Sequence, residues 1–211
     1  MPTLSAIAEV GDVSIAFCRG ARWRPCASWM ARTAEPLLVD WLLDRSSLTA
    51  RLRSVCPGGF AVRPLAQGYA PVRLNERHRL AIGLGHHAFV REVFLTCRGM
   101  PWVFARTVIP RDVAKGQLRA LTRLGTRPLG EVLFSGRDLL RSDLELARLP
   151  LPQASRMAGS SHQDAAGLAI WGRRSLFLRS GQPLLVSEIF LPAFMRFLDH
   201  DSADIPQSQN P

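Results

Sequence analysis

Apolar residues recur at helical spacing in two neighbouring stretches near the start of the chain. The stretch 36–45, PLLVDWLLDR, places its leucines and Trp41 on one side and its aspartates on the other, and Pro36 suits a first helical turn. The stretch 46–55, SSLTARLRSV, opens with serines that can cap a helix, and Pro-Gly-Gly at 57–59 ends it. The pattern predicts two short helices that form a hairpin.

After residue 59 the pattern changes to β-branched and aromatic runs. The segments 88–97 (AFVREVFLTC) and 102–110 (WVFARTVIP) flank a Gly/Pro turn, which is typical of a β-hairpin. A second hairpin is predicted over 167–192, where GLAIWGRRSLFLRS and PLLVSEIFLP flank the turn Ser-Gly-Gln-Pro. Between the hairpins, RDVAKGQLRALTRLG (111–125) predicts one amphipathic helix that ends at Gly125.

The order of these elements predicts the fold class. Strands are also indicated by FAVRPLAQGY (60–69) and LLRSDLELARL (139–149), whereas PLGEVLF (128–134) is only a short apolar stretch. The order lacks the βαβ alternation of a parallel sheet, so we predict an α+β fold in which helices cover one side of an antiparallel sheet. A chain of 211 residues with 47% apolar residues is enough for one such domain.

The domain boundaries follow from composition. Residues 1–21 are predicted to be an irregular extension, 22–192 the folded domain, and 193–211 a disordered polar tail. Within the domain, 153–166 is a small, polar segment that indicates a flexible loop. The chain has no run of about 18 apolar residues and no basic n-region at its start, so we expect a cytoplasmic protein without membrane insertion.

The formal net charge of +10 indicates an anionic partner. Only one of the 27 basic residues is a lysine, Lys115, and the arginines are spread along the whole chain. A nucleic-acid-binding face usually concentrates its charge, and zinc-finger spacing and aromatic RNA-binding strands are absent from the sequence. We therefore expect no nucleic acid as partner, and a small anionic substrate fits the charge equally well.

Cysteines give no sign of a metal or redox site. The chain lacks a C-x-x-C pair, and without a signal peptide we expect free buried thiols rather than disulfides. This expectation covers Cys18, Cys26, Cys56 and Cys97.

Three charged residues lie inside apolar strands, and these are the candidates for a functional site. They are Arg91 in AFVREVFL, Arg106 in WVFARTVIP and Glu188 in LLVSEIFLP. Burying a single charge costs several kcal/mol, so such residues are usually paired or face a polar cavity. The alternative is that the second face of a strand is exposed to solvent, and we apply it to Glu92, Arg173 and Arg174.

Four segments in this order resemble the chorismate pyruvate-lyase family, over about residues 22–192. They are WLLDRSSLTARL, REVFLTCRGMPWVFARTVIP, LGTRPLGEVLF and WGRRSLFLRSGQPLLVSEIFLP. The resemblance implies a six-stranded antiparallel sheet with an internal ligand cavity closed by helical flaps, without metal or organic cofactor. We expect a monomer. It also implies a lyase that converts chorismate to 4-hydroxybenzoate and pyruvate, the first committed step of ubiquinone biosynthesis. The extension, the 153–166 insertion and the tail depart from the compact family pattern.

The resemblance assigns roles to particular residues. Arg91 matches an arginine that binds a substrate carboxylate, and Glu188 matches a glutamate near the ring hydroxyl; both are expected to act in catalysis and binding. Leu129 matches a leucine whose backbone meets the ligand, with Gly130 permitting close approach. Leu48 replaces a ligand-contacting methionine of some members. Arg106 is a further candidate for positive charge in the site.

Two other functions remain open at this point. Effector-binding domains of bacterial transcription regulators have a similar fold, but only about 35 irregular residues precede the first helix here, which is too few for a DNA-binding module. A nucleic-acid-binding protein would rest on charge alone. For the lyase, the hairpin 36–55 and the segment 127–134 are expected to contribute to a lid.

Overall fold

The computed structural model describes residues 21–28, 36–135, 138–149 and 170–203. Its helices are α1 (Pro36–Leu43), α2 (Leu48–Val55), α3 (Leu74–Leu80), α4 (Arg111–Lys115), α5 (Leu129–Leu133) and α6 (Pro192–Ala203), with 3₁₀ turns at Cys26–Ser28 and Arg119–Arg123. Its strands are β1 (Arg24–Pro25), β2 (Phe60–Pro71), β3 (His87–Cys97), β4 (Met100–Pro110), β5 (Leu139–Arg141), β6 (Glu145–Leu149), β7 (Ile170–Arg179) and β8 (Gln182–Phe190).

All strand pairs are antiparallel and belong to one sheet, which confirms the predicted fold class. The order is β1-β6-β7-β8-β4-β3-β2, with β5 paired to β7. The described part of the sheet has six strands of five or more residues and two very short ones, β1 and β5. Both predicted hairpins are present, and their strands β4 and β8 pair with each other at the centre of the sheet.

Turn chemistry fixes both hairpins. The β3–β4 turn has Arg98 at φ 49° and Gly99 at φ 82°, and the β7–β8 turn has Ser180 at φ 49° and Gly181 at φ 75°. Two consecutive positive φ angles match the right-handed twist of the flanking strands, and glycine is the residue that adopts them without strain.

Helices cover both faces of the sheet, not one as predicted. On one face, α1, α2 and α6 pack through Leu38, Trp41 and Phe194 onto β3, β4 and β8. On the other face, α3 packs through Leu80 against Val90 of β3 and its neighbours on β4 and β8. The sequence pattern did not predict α3, because its heptapeptide LNERHRL has few apolar residues.

Two further segments differ from prediction. The expected helix over 111–125 is broken at Gly116, whose φ of −92° and ψ of −124° are not helical, and continues as the 3₁₀ turn Arg119–Arg123. In place of a polar tail from 193, helix α6 extends to Ala203, since Phe194, Met195 and Leu198 are buried in the core. The predicted loop 153–166 and the extension 1–20 lie outside the described residues.

The expectation of free cysteines is wrong for one pair. Cys56, at the end of α2, and Cys97, at the end of β3, form a disulfide with a Cα–Cα distance of 6.0 Å. The β2–β3 register brings the two residues together, because Phe60, four residues after Cys56, pairs with Cys97. Cys26 is a free thiol, and Cys18 lies outside the described residues. None of the described helices is long and apolar enough to cross a membrane.

Candidate active site

A cavity lies between the sheet and the helices of its α1–α2 face. It has about 560 Å³ of empty space, part of it open to solvent. Strands β3, β4, β7 and β8 form its floor, and the walls come from residues 46–49 at the start of α2 and 128–130 at the start of α5. Both segments that were expected to form a lid therefore contribute residues to the walls.

Strand register arranges the floor in two rows, since side chains paired across an antiparallel sheet lie on the same face. One row crosses β3, β4, β8 and β7 as Arg91, Thr107, Val186 and Ser175. The neighbouring row crosses the same strands as Val93, Ala105, Glu188 and Arg173. The two charged residues predicted for the site, Arg91 and Glu188, thus lie in adjacent rows of one cavity.

Arg91 is a buried cation without a carboxylate partner in the described part of the chain. Only 3% of the residue is exposed, and its Nη2 donates to the carbonyls of Gly125 at 3.0 Å and Arg127 at 3.1 Å. Its Nε is buried and has no hydrogen-bond partner. Burial lowers the pKa of this guanidinium, which nevertheless stays charged at neutral pH. Arg91 lines the cavity, and a buried N–H without a protein partner is uncommon in folded proteins.

Glu188 is held by an arginine that sequence analysis had assigned to solvent. Arg173 is 1% exposed, and its Nε donates to Glu188 Oε2 at 2.7 Å. Its Nη1 donates to the carbonyls of Trp41 and Asp44, each at 2.7 Å, at the end of α1. The prediction for Arg173 is wrong because α1 covers this part of the sheet.

Arg141 is a cavity residue that sequence analysis did not identify. It lies on the short strand β5, and its Nε donates to Ser175 Oγ at 3.0 Å. Its guanidinium lies 5.1 Å from the ring centroid of Phe177. Burial lowers the pKa of Arg141 to about 10; Glu188 opposes this shift and Arg173 adds to it. The only sequence signal was an arginine inside a segment with strand character.

Leu129, Gly130 and Leu48 all line the cavity. A Cβ on Gly130 would lie 2.8 Å from Ser47 Oγ, so this glycine permits the close approach of α5 to the start of α2. Ser47 caps α2, as predicted for one of the two serines, by accepting from the backbone N–H of Ala50. The two walls of the cavity therefore meet at Gly130 and Ser47.

Arg106 does not line the cavity, so its proposed role in the site is wrong. It faces the other side of the sheet, where its Nε donates to Glu76 at 2.7 Å and its Nη1 to Glu92 at 2.7 Å. Burial lowers the pKa of Arg106, but the hydrogen bonds and charges of the two glutamates outweigh it and hold the pKa above its ordinary value. Strand alternation accounts for the error, since Ala105 and Thr107 take the cavity face.

Glu92 and Arg174 are also buried rather than exposed. Arg174 Nε donates to Glu145 Oε2 at 3.0 Å, and its guanidinium lies 4.8 Å from the ring centroid of Trp23. These side chains were expected in solvent because α3 and the segment before β1 were not predicted to cover this face.

The cavity has the chemistry of an anion-binding site with one carboxylate. Three arginines and Glu188 line it among otherwise apolar and hydroxyl side chains. The described residues contain no cluster of three or more His, Cys, Asp or Glu side chains arranged to hold a metal ion. Such a site can bind a small anion, position it over an apolar floor and offer one carboxylate to a hydroxyl or a proton.

The sequence of this chain is similar to those of a known family. The model of the family described as chorismate lyase matches residues 19–198. The probable chorismate pyruvate-lyase of Pseudomonas putida is 41% identical over 174 residues, which cover 81% of this chain and 88% of the relative. That of Azoarcus sp. is 44% identical over 179 residues, covering 82% and 94%. The solved effector domain of PhnF from Mycobacterium smegmatis has a TM-score of 0.49 at 12% identity, covering 72% of this chain and 91% of that one.

Proposed function

The chain belongs to the chorismate lyase family and converts chorismate to 4-hydroxybenzoate and pyruvate, and we propose that the reaction takes place in the sheet-face cavity. The product is the aromatic precursor of ubiquinone, in line with the family's role. One observation carries the proposal: Arg91, a buried cation without a carboxylate partner in the described residues, and the carboxylate of Glu188 lie in adjacent rows of one cavity.

In this proposal Arg91 binds the ring carboxylate of chorismate. Its unpartnered Nε supplies a donor, and a carboxylate would compensate a charge that burial otherwise disfavours. Leu129 contributes backbone at the start of α5, beside the loop that Arg91 holds through Gly125 and Arg127. The apolar floor then carries the ring.

The reaction needs little covalent chemistry from the protein. The C3–O bond of the enolpyruvyl ether breaks, its electron pair leaves with the enolpyruvate, and the ring loses the proton on C4 as it becomes aromatic. The enolpyruvate takes up a proton to give pyruvate. The enzyme orients the side chain and stabilises the negative charge that develops on the leaving oxygen, and arginines that line a largely apolar cavity are suited to that task.

Glu188 is proposed to contact the C4 hydroxyl. Arg173 occupies Oε2, which leaves Oε1 to accept a hydrogen bond from the ligand. Arg173 is therefore a positioning residue, because it fixes the carboxylate while its other nitrogen binds α1. The carboxylate either orients the hydroxyl or takes part in proton transfer.

A test of activity and of Glu188 uses three proteins. Purified wild-type protein mixed with chorismate is expected to form 4-hydroxybenzoate, followed by its absorbance; binding without turnover would instead favour an effector-binding domain. If Glu188→Gln stays within about 10-fold of wild type and Glu188→Ala does not, the carboxylate positions the hydroxyl. Loss of about 10²–10⁴-fold in both variants indicates proton transfer. Normal turnover and product affinity in Glu188→Ala would place Glu188 outside the site.

The lid is part of the proposal. Residues 46–49 and 128–130 wall the cavity, so ligand exchange requires one of these segments to move. Bound 4-hydroxybenzoate is expected to slow amide hydrogen exchange across α1, α2 and residues 127–134, and product release is expected to limit turnover. Unchanged protection in these segments would contradict a lid there.

The state and location of the enzyme complete the proposal. We expect a cytoplasmic monomer. Sedimentation velocity of the purified protein with and without 4-hydroxybenzoate tests the monomer, and a concentration-dependent dimer would contradict it.

A further inference from the structure

We propose that Arg141 binds the second carboxylate of the substrate, the one on the enolpyruvyl side chain, and so distinguishes chorismate from 4-hydroxybenzoate. This inference rests on the proposed function. It assigns the two carboxylates of the substrate to two different arginines of the cavity, Arg91 and Arg141.

The first argument is position. The row that begins with Arg91 on β3 ends with Ser175 on β7, and Arg141 donates to the hydroxyl of Ser175. Arg141 itself lies on β5, which pairs with β7, so its backbone is four strand spacings of about 4.8 Å from that of Arg91, about 19 Å. Both arginines line the same cavity, and a backbone separation of this size exceeds the combined reach of two arginine side chains by about the width of a small ring. Glu188 lies on β8 between them.

The second argument is charge. The hydrogen-bond acceptors of Arg141 in the described structure are neutral: Ser175 Oγ at 3.0 Å and the carbonyl of Asp44 at 3.5 Å. A guanidinium has five N–H donors, so most of its hydrogen-bonding capacity is unused. Nearby charges act on Arg141 in both directions: Glu188 attracts it, whereas Arg173 and Arg45 repel it, and burial still lowers its pKa. An anion between these cations relieves both the repulsion and the cost of burial.

The third argument eliminates the other nearby cations. The Nε of Arg173 binds Glu188 and its Nη1 binds two carbonyls, so this residue is committed to the protein. Arg45 has a side chain that is 54% exposed and pairs with Asp143. Arg106 is on the opposite face of the sheet. Arg141 is the cavity cation that remains.

This assignment has a chemical consequence. When the C3–O bond breaks, the second carboxylate leaves with the pyruvate, so its contact with Arg141 exists in the substrate and in the leaving group and is absent from 4-hydroxybenzoate. The contact also places positive charge near the oxygen that becomes an enolate. Arg141 is therefore expected to contribute to substrate specificity and to turnover, but not to affinity for the aromatic product.

The experiment compares Arg141→Gln with Arg91→Gln. For each variant, kcat/KM for chorismate and the Kd for 4-hydroxybenzoate are measured, the latter by isothermal titration calorimetry. For Arg141→Gln we expect kcat/KM to fall about 10–100-fold, typical of the loss of a hydrogen-bonded charge, with the Kd within about 3-fold of wild type. For Arg91→Gln both quantities are expected to worsen, and Arg141→Lys should recover part of the lost kcat/KM.

Two outcomes would overturn the inference. If Arg141→Gln weakens chorismate turnover and 4-hydroxybenzoate binding equally, Arg141 acts on the ring end of the ligand or on the cavity as a whole. If neither quantity changes, Arg141 does not contact the substrate. Should Arg141→Gln fail to fold, Ser175→Ala removes the hydroxyl that positions Arg141, and the same selective loss, smaller in size, is expected. Failure of the proposed function is distinct, because wild-type protein would then form no 4-hydroxybenzoate.

Discussion

Four arginines on the strands of the sheet are buried, two on each face. The two faces differ in the groups that bind the guanidiniums. On the face covered by α3, Arg106 binds two glutamates and Arg174 binds Glu145. On the cavity face, Arg173 binds Glu188, whereas Arg91 binds two carbonyls and, in the described part of the chain, no carboxylate. An unpartnered donor does not distinguish the faces, because Arg91 Nε and Arg174 Nη1 both lack a hydrogen-bond partner among the described residues. Both pairs of arginines are equally buried, so burial alone does not separate them.

The difference teaches which kind of buried charge indicates a ligand. The Arg106 cluster carries its own counter-charges, and burial raises the pKa of Glu76 while Arg106 and Arg73 lower it to below its ordinary value. The positive charges of that cluster are balanced by its own carboxylates. The cavity has three arginines and one glutamate, and the pKa values of Arg91 and Arg141 are both lowered by burial. An incomplete set of charges is stable only if its cost is offset elsewhere, and an anionic ligand completes it.

The largest effect is expected from removing Arg106 from its cluster with Glu76 and Glu92. Arg106→Leu leaves Glu76 and Glu92 buried with their main partner removed, and we expect a loss of about 3–5 kcal/mol in the free energy of unfolding. At temperatures where the variant is folded, kcat/KM should stay within about 3-fold of wild type. Urea denaturation and steady-state kinetics measure the two effects. The control is Arg148→Leu on β6, where the arginine is exposed and a change below about 0.5 kcal/mol is expected. Full stability of Arg106→Leu would contradict the comparison.

The next effect concerns the cavity face, where we expect a loss of activity with little change in stability. Arg91→Ala is expected to lower kcat/KM for chorismate about 10²–10³-fold, since hydrogen bonds to a charged group are lost. Its free energy of unfolding should change by less than about 1 kcal/mol, because loss of two carbonyl hydrogen bonds is offset by removal of an uncompensated charge. Arg91→Lys should restore activity only in part, as it lacks the bidentate geometry. A strongly destabilised variant with normal kcat/KM would show that Arg91 is structural.

A smaller effect concerns the contact between the cavity walls. Gly130→Ala places a methyl group 2.8 Å from Ser47 Oγ, so α5 and α2 must separate. We expect about a 10-fold loss in kcat/KM and about 1–3 kcal/mol in stability, as for other overpacked sites. Combining it with Ser47→Gly removes the clashing atom and should restore most of the activity, since glycine at an N-cap costs only a few tenths of a kcal/mol. No rescue by the double variant would mean that the loss has another cause.

The smallest effect is a dependence of stability on pH. Burial lowers the pKa of Arg141 to about 10 in the folded protein, well below its value in the unfolded chain, so above about pH 10 the unfolded chain binds more protons. Stability must then rise with pH above about 10, with a slope of less than 1.4 kcal/mol per pH unit for one group. Unfolding of wild type and Arg141→Gln, compared from pH 8 to 11, isolates this contribution from other groups. A difference between the two proteins that is constant with pH would contradict the lowered pKa.

The sequence predicted the hairpins well because their turns and β-branched runs are local signals. It also marked Arg91 and Glu188 as charged residues inside apolar strands, and the register brings both to one cavity. Leu129, which only the family resemblance singled out, lines the same cavity from α5. It failed where burial depends on a distant element. Arg173 and Arg174 were both expected in solvent, but α1 covers the first, and α3, a polar heptapeptide with one buried leucine, helps to bury the opposite face.

Arg141 shows a second reason for failure. Its strand β5 is three residues long and pairs with the far end of β7, so neither its length nor its alternation marks it as part of a site. Its position depends on the chain path before β6, which no local pattern specifies. The same holds for the disulfide, whose cysteines are 41 residues apart and are joined by the β2–β3 register.

If the proposed lid opens by movement of α1, the hydrogen bonds of Arg173 prevent the enzyme from exchanging its ligand while Glu188 is held in position. If α1 moves away from the sheet to admit chorismate or release 4-hydroxybenzoate, the bonds from Arg173 to Trp41 and Asp44 must break. The same guanidinium then gains freedom to rotate, and Glu188 loses its fixed partner. In the open enzyme, Glu188 is therefore no longer held in the position that the reaction requires. Under the proposed lid, we expect bond cleavage in the closed state, where the helices shield the forming enolpyruvate from bulk water better than in the open state.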